Sequence, residues 1–213
     1  MTRLPMITSL VAALALSTLA QEAEGGARRS RPVRTGQTTC WDTAGTVIDC
    51  TGTGQDGELR RGEPRSYQDN GDGTIRDKRT ALTWEKLSDD GSIHDQDNVY
   101  TWDGMFERID DLNTPPCFAG FCDWRVPNRF ELESILDLGT TDPAVSAPFN
   151  TGCSPGCTVL TCSCTYSGVH WTSSSAADAE SIGWGVNFFF GSVNRNYLKA
   201  TESYFVRAVR GGS

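Results

Sequence analysis

Asp123-Trp124-Arg125-Val126-Pro127-Asn128-Arg129-Phe130-Glu131-Leu132 places a helix start in the middle of the chain. Asn128 and Glu131 are three apart, the spacing of a capping box, in which each side chain satisfies a backbone N–H of the first turn. Leu132, Ile135 and Leu136 follow at helical spacing and predict the buried face, with Gly139 as the stop. Upstream lies a second helix. Thr101 is its expected cap, and Trp102, Met105, Phe106, Ile109 and Leu112 form one apolar stripe.

Strand patterns flank these helices on both sides. Residues 40–50 read as a hairpin with its turn near residues 42–45, and Cys40 and Cys50 sit where its two ends meet. Residues 67–84 read as a second hairpin, in which Thr74-Ile75-Arg76-Asp77 and Leu82-Thr83-Trp84 alternate. After the helices come three further strand candidates, at residues 169–172, 184–190 and 204–209, with Gly191 ending the middle one. Strands, two helices, then strands predict an α+β fold.

The ends of the chain differ from this body. Arg3, an apolar run over residues 6–16 and Thr18-Leu19-Ala20 read as a signal peptide over residues 1–20, too short to span a membrane. Residues 21–36 are polar, glycine-bearing and without periodicity, and are expected to be a flexible linker. Residues 37–213 are expected to form one domain, with residues 37–66 as its N-terminal disulfide hairpin and leader. Export predicts a secreted, periplasmic or cell-surface location in a bacterium. It also predicts that the eight cysteines, Cys40, Cys50, Cys117, Cys122, Cys153, Cys157, Cys162 and Cys164, are oxidised. Cys40–Cys50 and Cys117–Cys122 are the expected local pairs. The remaining four allow three connectivities, of which the nested 157–162 and 153–164 suits a hairpin. A four-thiolate zinc site fits less well, because Cys162-Ser163-Cys164 is tighter than the usual paired knuckle.

Net charge is −8, which disfavours nucleic acid and anionic lipid as partners and leaves cations open. Asp69-Asn70-Gly71-Asp72-Gly73 looks like a calcium loop until its register is tested. With Gly73 at the sixth position, Gln68 falls at the first and Arg79 at the twelfth, where carboxylates belong, so a hairpin turn is expected. The better metal candidate is residues 89–98, where Asp89, Asp90, Asp95 and Asp97 crowd together and calcium would relieve their repulsion. Asn194, Arg195, Asn196, Tyr197 and Lys199, expected on an exposed loop after the 184–190 strand, combine amides, cations and an aromatic and are the candidate ligand face. No nucleophile elbow, zinc-protease motif or phosphate loop is present. Of the two histidines, His170 beside Trp171 reads as structural.

Several of these segments, taken together, resemble a known family. Residues 69–77, Thr80-x-Leu82-x-Trp84 and Tyr100-x-Trp102 resemble the opening of the Lcl C-terminal domain family. Residues 123–132 resemble its central D-W-R-L-P-N-x-x-E-L signature. Trp171-Thr172-Ser173-Ser174, Trp184-x-Val186-x-Phe188-x-x-Gly191 and Val206-Arg207-Ala208-Val209-Arg210-Gly211 resemble its closing strands. The resemblance implies a C-type-lectin-like fold akin to the formylglycine-generating domain, a surface location, glycan binding and possible trimers. Trp124 and Pro127 are then expected to set the approach to the central helix, and Arg125 to bond turn carbonyls or a carboxylate. The family's namesake takes sulfated glycans and carries a collagen-like repeat. This chain has no such repeat, and its acidity opposes a sulfated polyanion. The expected function is an exported, non-enzymatic, adhesin-like binding domain that recognises a glycan or another cell-surface partner such as a surface protein. A structural envelope component is the alternative. A formylglycine-generating-type oxidase is a weaker one, raised by the closing Val209-Arg210-Gly211-Gly212-Ser213.

Overall fold

The computed structural model describes residues 32–212, so the expected signal peptide and most of the linker lie outside the described residues. The chain is α+β, with three antiparallel sheets and three α-helices among the described residues. β1 (Cys40–Trp41) and β2 (Val47–Ile48) form the small hairpin, its turn tied by Asp42 Oδ1 accepting from the Ala44 and Thr46 amides. The short helix α1 (Asp56–Leu59) follows. β3 (Tyr67–Asp69), β4 (Thr74–Asp77) and β5 (Leu82–Glu85) form a meander, and the closing strand β9 (Val209–Gly211) pairs with β5. β6 (Val169–Ala176), β7 (Ala179–Asn187) and β8 (Ser192–Leu198) form the third sheet.

Helix α2 (Trp102–Asn113) starts as expected, with Thr101 Oγ1 accepting from the Gly104 amide at 3.1 Å. Its inner face differs from the expected stripe. Met105, Ile109 and Leu112 are buried, but Phe106 is exposed and Arg108 takes a buried place. The reason is an ion pair: Arg108 reaches Glu85, itself fully buried on the central strand β5. Helix α3 (Arg129–Glu133) carries the full capping box, with Asn128 Oδ1 accepting from the Glu131 amide and Glu131 Oε2 from that of Asn128. It ends well before Gly139, but Leu132, Ile135 and Leu136 are all buried.

Two apolar clusters result. Ile75, Leu82 and Trp84 from the meander meet Leu132, Ile135, Phe149, Val186 and Phe188 in one. Met105, Ile109 and Leu112 from α2 meet Trp124, Trp171, Tyr197 and Val206 in the other.

Four expectations need correction. The strand expected at residues 184–190 is β7, which ends at Asn187, where Asn187 Oδ1 accepts from the Phe189 amide and turns the chain. The loop expected beyond it is the edge strand β8. Residues 204–209 make isolated bridges, Tyr204 to Tyr100 and Phe205 to His170, and only Val209 enters a strand. The last residues of the expected linker are also engaged. Val33 bridges to Glu63, and Thr35 accepts the Leu138 amide at 2.7 Å.

All eight cysteines are paired, as Cys40–Cys50, Cys117–Cys122, Cys153–Cys164 and Cys157–Cys162, so the last four take the nested connectivity.

Candidate functional site

The antiparallel register places Arg76 of β4 opposite Thr83 of β5, and Thr83 opposite Arg210 of β9. Ile75 and Trp84, one residue away, face the core, so Arg76 and Arg210 share the outer face of the sheet. Two strand spacings separate them, about 10 Å. They line an open cleft of about 510 Å³ together with Arg125, Asp123, Ala81, Gly211 and Gly212.

Each arginine is held differently. Arg125 grips Glu131 with two bonds of 2.7 Å and donates a third to the Gly211 carbonyl at 3.0 Å. That fork fixes the guanidinium and meets both roles expected of Arg125. The hydrogen bond from Arg125 and its charge hold the Glu131 carboxyl below its ordinary range against the opposing effect of burial. Arg210 pairs with Asp123 at 2.6 and 3.2 Å and lies 3.7 Å from the centroid of Phe121. The Arg210 bond holds Asp123 ionised. Arg76 is exposed and has no side-chain partner among the described residues. A free guanidinium beside two immobilised ones is an arrangement suited to an oxyanion.

The cleft floor is unusual backbone. Ala81 has φ +60°, and Gly211 and Gly212 have φ +71° and +77°. At φ +77° Gly212 occupies backbone that favours glycine, and a Cβ there would also press on Leu82 Cδ2 at 2.5 Å. A non-glycine residue in the left-handed region costs about 1 kcal/mol or more, and such strain concentrates at ligand clamps.

The ligand face expected at Asn194, Arg195, Asn196, Tyr197 and Lys199 does not gather into one surface. Tyr197 points inward because Gly185 on β7 leaves a slot for its ring: a Cβ there would lie 2.8 Å from Tyr197 Cε2. Arg195 is paired with Asp178. Lys199 donates to Ser175 Oγ and the Glu180 carbonyl and covers the Trp102 ring at 4.3 Å. Asn194 and Asn196 remain exposed on β8.

Three of the four expected metal carboxylates do come together. Asp89, Asp95 and Asp97 each offer an oxygen within 4.8 Å of the others. Asp90 turns away, accepting from Ser88 Oγ and the Ser92 amide. Burial first, then the Asp95 and Asp89 charges, raise the Asp97 carboxyl above its ordinary value. The residual repulsion makes Asp97→Asn slightly stabilising without divalent cations, by up to about 0.5 kcal/mol because the group is well solvated. Calcium suits this all-oxygen set. Melting curves of parent and variant in millimolar calcium and in sodium of equal ionic strength distinguish a held cation from solvated carboxylates. A held cation stabilises the parent more in calcium than in sodium, and more than it stabilises the variant, whereas solvated groups respond equally to both salts.

Among the described residues no helix is long and apolar enough to cross a membrane. No curated protein matches the chain. The family model described as the Lcl C-terminal domain matches residues 73–210, from the turn before β4 into β9. That span holds the three arginines of the cleft, both larger helices and the paired cysteines after residue 116, and it places this chain in the Lcl C-terminal domain family.

Proposed function

We propose that the protein is an exported binding module that holds a carboxylate-bearing glycan in the Arg76–Arg125–Arg210 cleft. The observation that carries this reading is the unpartnered Arg76 guanidinium, in line with Arg210 on the sheet's outer face. The ligand is expected to present one local anion rather than a polyanion. A chain of net charge −8 repels a sulfated polymer, yet with Arg125 and Arg210 neutralised by Glu131 and Asp123 the one uncompensated guanidinium, Arg76, still attracts a single carboxylate.

Two wider readings accompany it. A C-type-lectin-like fold is supported by the closing strand β9 pairing with β5 and by the stapled long loops. A binding role rather than peptidyl-cysteine oxidation is supported by the pairing of every cysteine into a disulfide, and the same pairing supports export to the periplasm or cell surface.

The test is a titration of uronate-terminated against neutral oligosaccharides of the same length. Uronate binding that falls about tenfold with Arg76→Ala, the size of one lost charge-assisted contact, supports the reading. Arg76 has no partner to lose, so Arg76→Ala is expected to melt like the parent. Equal binding of both sugars, equal binding by parent and variant, or no binding at all overturns the reading and favours a structural envelope component.

A further inference from the structure

The two nested disulfides lie against each other. Cys157 Sγ is 3.7 Å from Cys164 Sγ, and Cys162 Sγ is 3.8 Å from Cys164 Sγ, although each pair belongs to different bridges. The sulfurs of Cys153, Cys157 and Cys164 all lie within 4.8 Å of one another. In a tetrahedral zinc site with Zn–S near 2.3 Å, neighbouring sulfurs stand about 3.8 Å apart. Two distances, Cys157 to Cys164 and Cys162 to Cys164, already match that spacing, whereas the bonded pairs must part by reduction before four sulfurs can surround one ion. The tight Cys162-Ser163-Cys164 spacing is no obstacle, because the Cys162 and Cys164 sulfurs stand 3.8 Å apart.

Backbone bonds independent of the sulfurs hold the cluster in place. Cys164 donates to the Leu87 carbonyl at 2.8 Å, Asp89 to that of Cys157 at 3.0 Å, and Thr151 and Ser163 exchange bonds of 2.8 and 2.9 Å. Cys162, Cys164 and Leu87 form a small buried cluster, with Cys157 packed against it and Cys153 open to solvent, which leaves a route for a reductant and an ion. A zinc ion with four thiolates carries a net double negative charge. The fully buried Arg207 donates to the Cys164 carbonyl and Thr165 Oγ1, placing a compensating cation beside it.

We propose that Cys153, Cys157, Cys162 and Cys164 form a four-thiolate zinc site when a dithiol reduces the two bridges. Each disulfide takes two electrons and two protons from one dithiol, which is itself oxidised to a disulfide. Zinc then displaces the four thiol protons. The double staple and the zinc centre are two closed states of one sulfur cluster, selected by thiol–disulfide poise.

The test is anaerobic reduction of the full chain with excess dithiol, removal of the reductant, and titration with cobalt(II) as a spectroscopic stand-in for zinc. The expected result is one equivalent of tetrahedral cobalt with thiolate charge-transfer absorption, displaced by zinc. Cys157→Ser combined with Cys162→Ser should remove the spectrum, whereas Cys117→Ser with Cys122→Ser and Cys40→Ser with Cys50→Ser should retain it. Cys153→His keeps the ligand number and should give tetrahedral cobalt with weaker charge transfer, a readout that misfolding does not reproduce. Octahedral cobalt alone, a spectrum that survives loss of Cys157 and Cys162, or one that depends on Cys117 and Cys122 would overturn the proposal.

Discussion

Replacing Glu85 with alanine is expected to lower the unfolding free energy by about 3–5 kcal/mol, the usual cost of stripping one partner from a buried ion pair. Glu85 is fully buried on the central strand β5 and is shared by several elements. Its Oε1 accepts from Arg108 of α2 and from His94 Nδ1 at 2.7 Å, and its Oε2 accepts from the Ala208 amide at 2.9 Å. Its backbone carbonyl accepts from Arg207, also fully buried, at 2.7 Å. Burial alone pushes the Glu85 carboxyl up, but the Arg108 charge and the bonds from His94 and Arg108 outweigh it and bring the group down to about 2. Without this carboxylate, two buried guanidiniums share the same region uncompensated. Urea denaturation of Glu85→Ala measures the loss. Glu85→Leu combined with Arg108→Leu should recover only part of it, since an apolar pair replaces the Glu85–Arg108 ion pair but leaves Arg207 and the Ala208 amide without the carboxylate. A loss under about 1 kcal/mol in Glu85→Ala would show that the network does not lock α2 to the sheet.

The same network marks the limit of what the sequence discloses. The capping box at Asn128 and Glu131 is local, so both ends of it lie within four residues and the helix start is legible. The turn at Asp42 and the bridges Cys40–Cys50 and Cys117–Cys122 are local for the same reason. Glu85, Arg108 and Arg207 are separated by up to 122 residues, and charged residues read as solvated until the fold brings them together. The helical stripe therefore assigned Phe106 to the core and missed Arg108. The cleft was hidden in a similar way. Arg76 sits at an outward position of an alternating strand, and Arg210 belongs to the closing motif, but only the β4–β5–β9 register aligns them. Tyr197 read as a ligand-contacting aromatic because nothing in its own strand shows that Gly185 opposite leaves room for its ring. The acidic run at residues 89–98 was closer to legible, since crowding is a local property. Only the turn geometry separates Asp90 from the other three.

Acid should destabilise the protein well before its carboxylates titrate. His170 on β6 is fully buried, packed at 4.7 Å against Phe188 and 5.4 Å against Phe205, and its Nε2 has no partner among the described residues. Burial, and then the Arg207 charge, depress its pKa to about 3 against an ordinary 6.5. The folded protein therefore keeps the imidazole neutral, while the unfolded chain takes up a proton below pH 6.5. The stabilisation is complete above 6.5 and is lost as pH falls, at up to about 1.4 kcal/mol per pH unit, until the folded form also protonates near pH 3. Glu85 contributes a further loss, but only below its ordinary 4.5 and down to about 2. The interval between pH 6.5 and 4.5 thus isolates His170 from the carboxylate. Urea denaturation at pH 7 and pH 5 should show the parent losing about 2 kcal/mol. His170→Leu keeps an apolar group of similar size in the site and removes the titration, so its stability should change little over the same interval. A parent-like loss in His170→Leu would place the proton uptake on another group and remove His170 as the source of acid sensitivity.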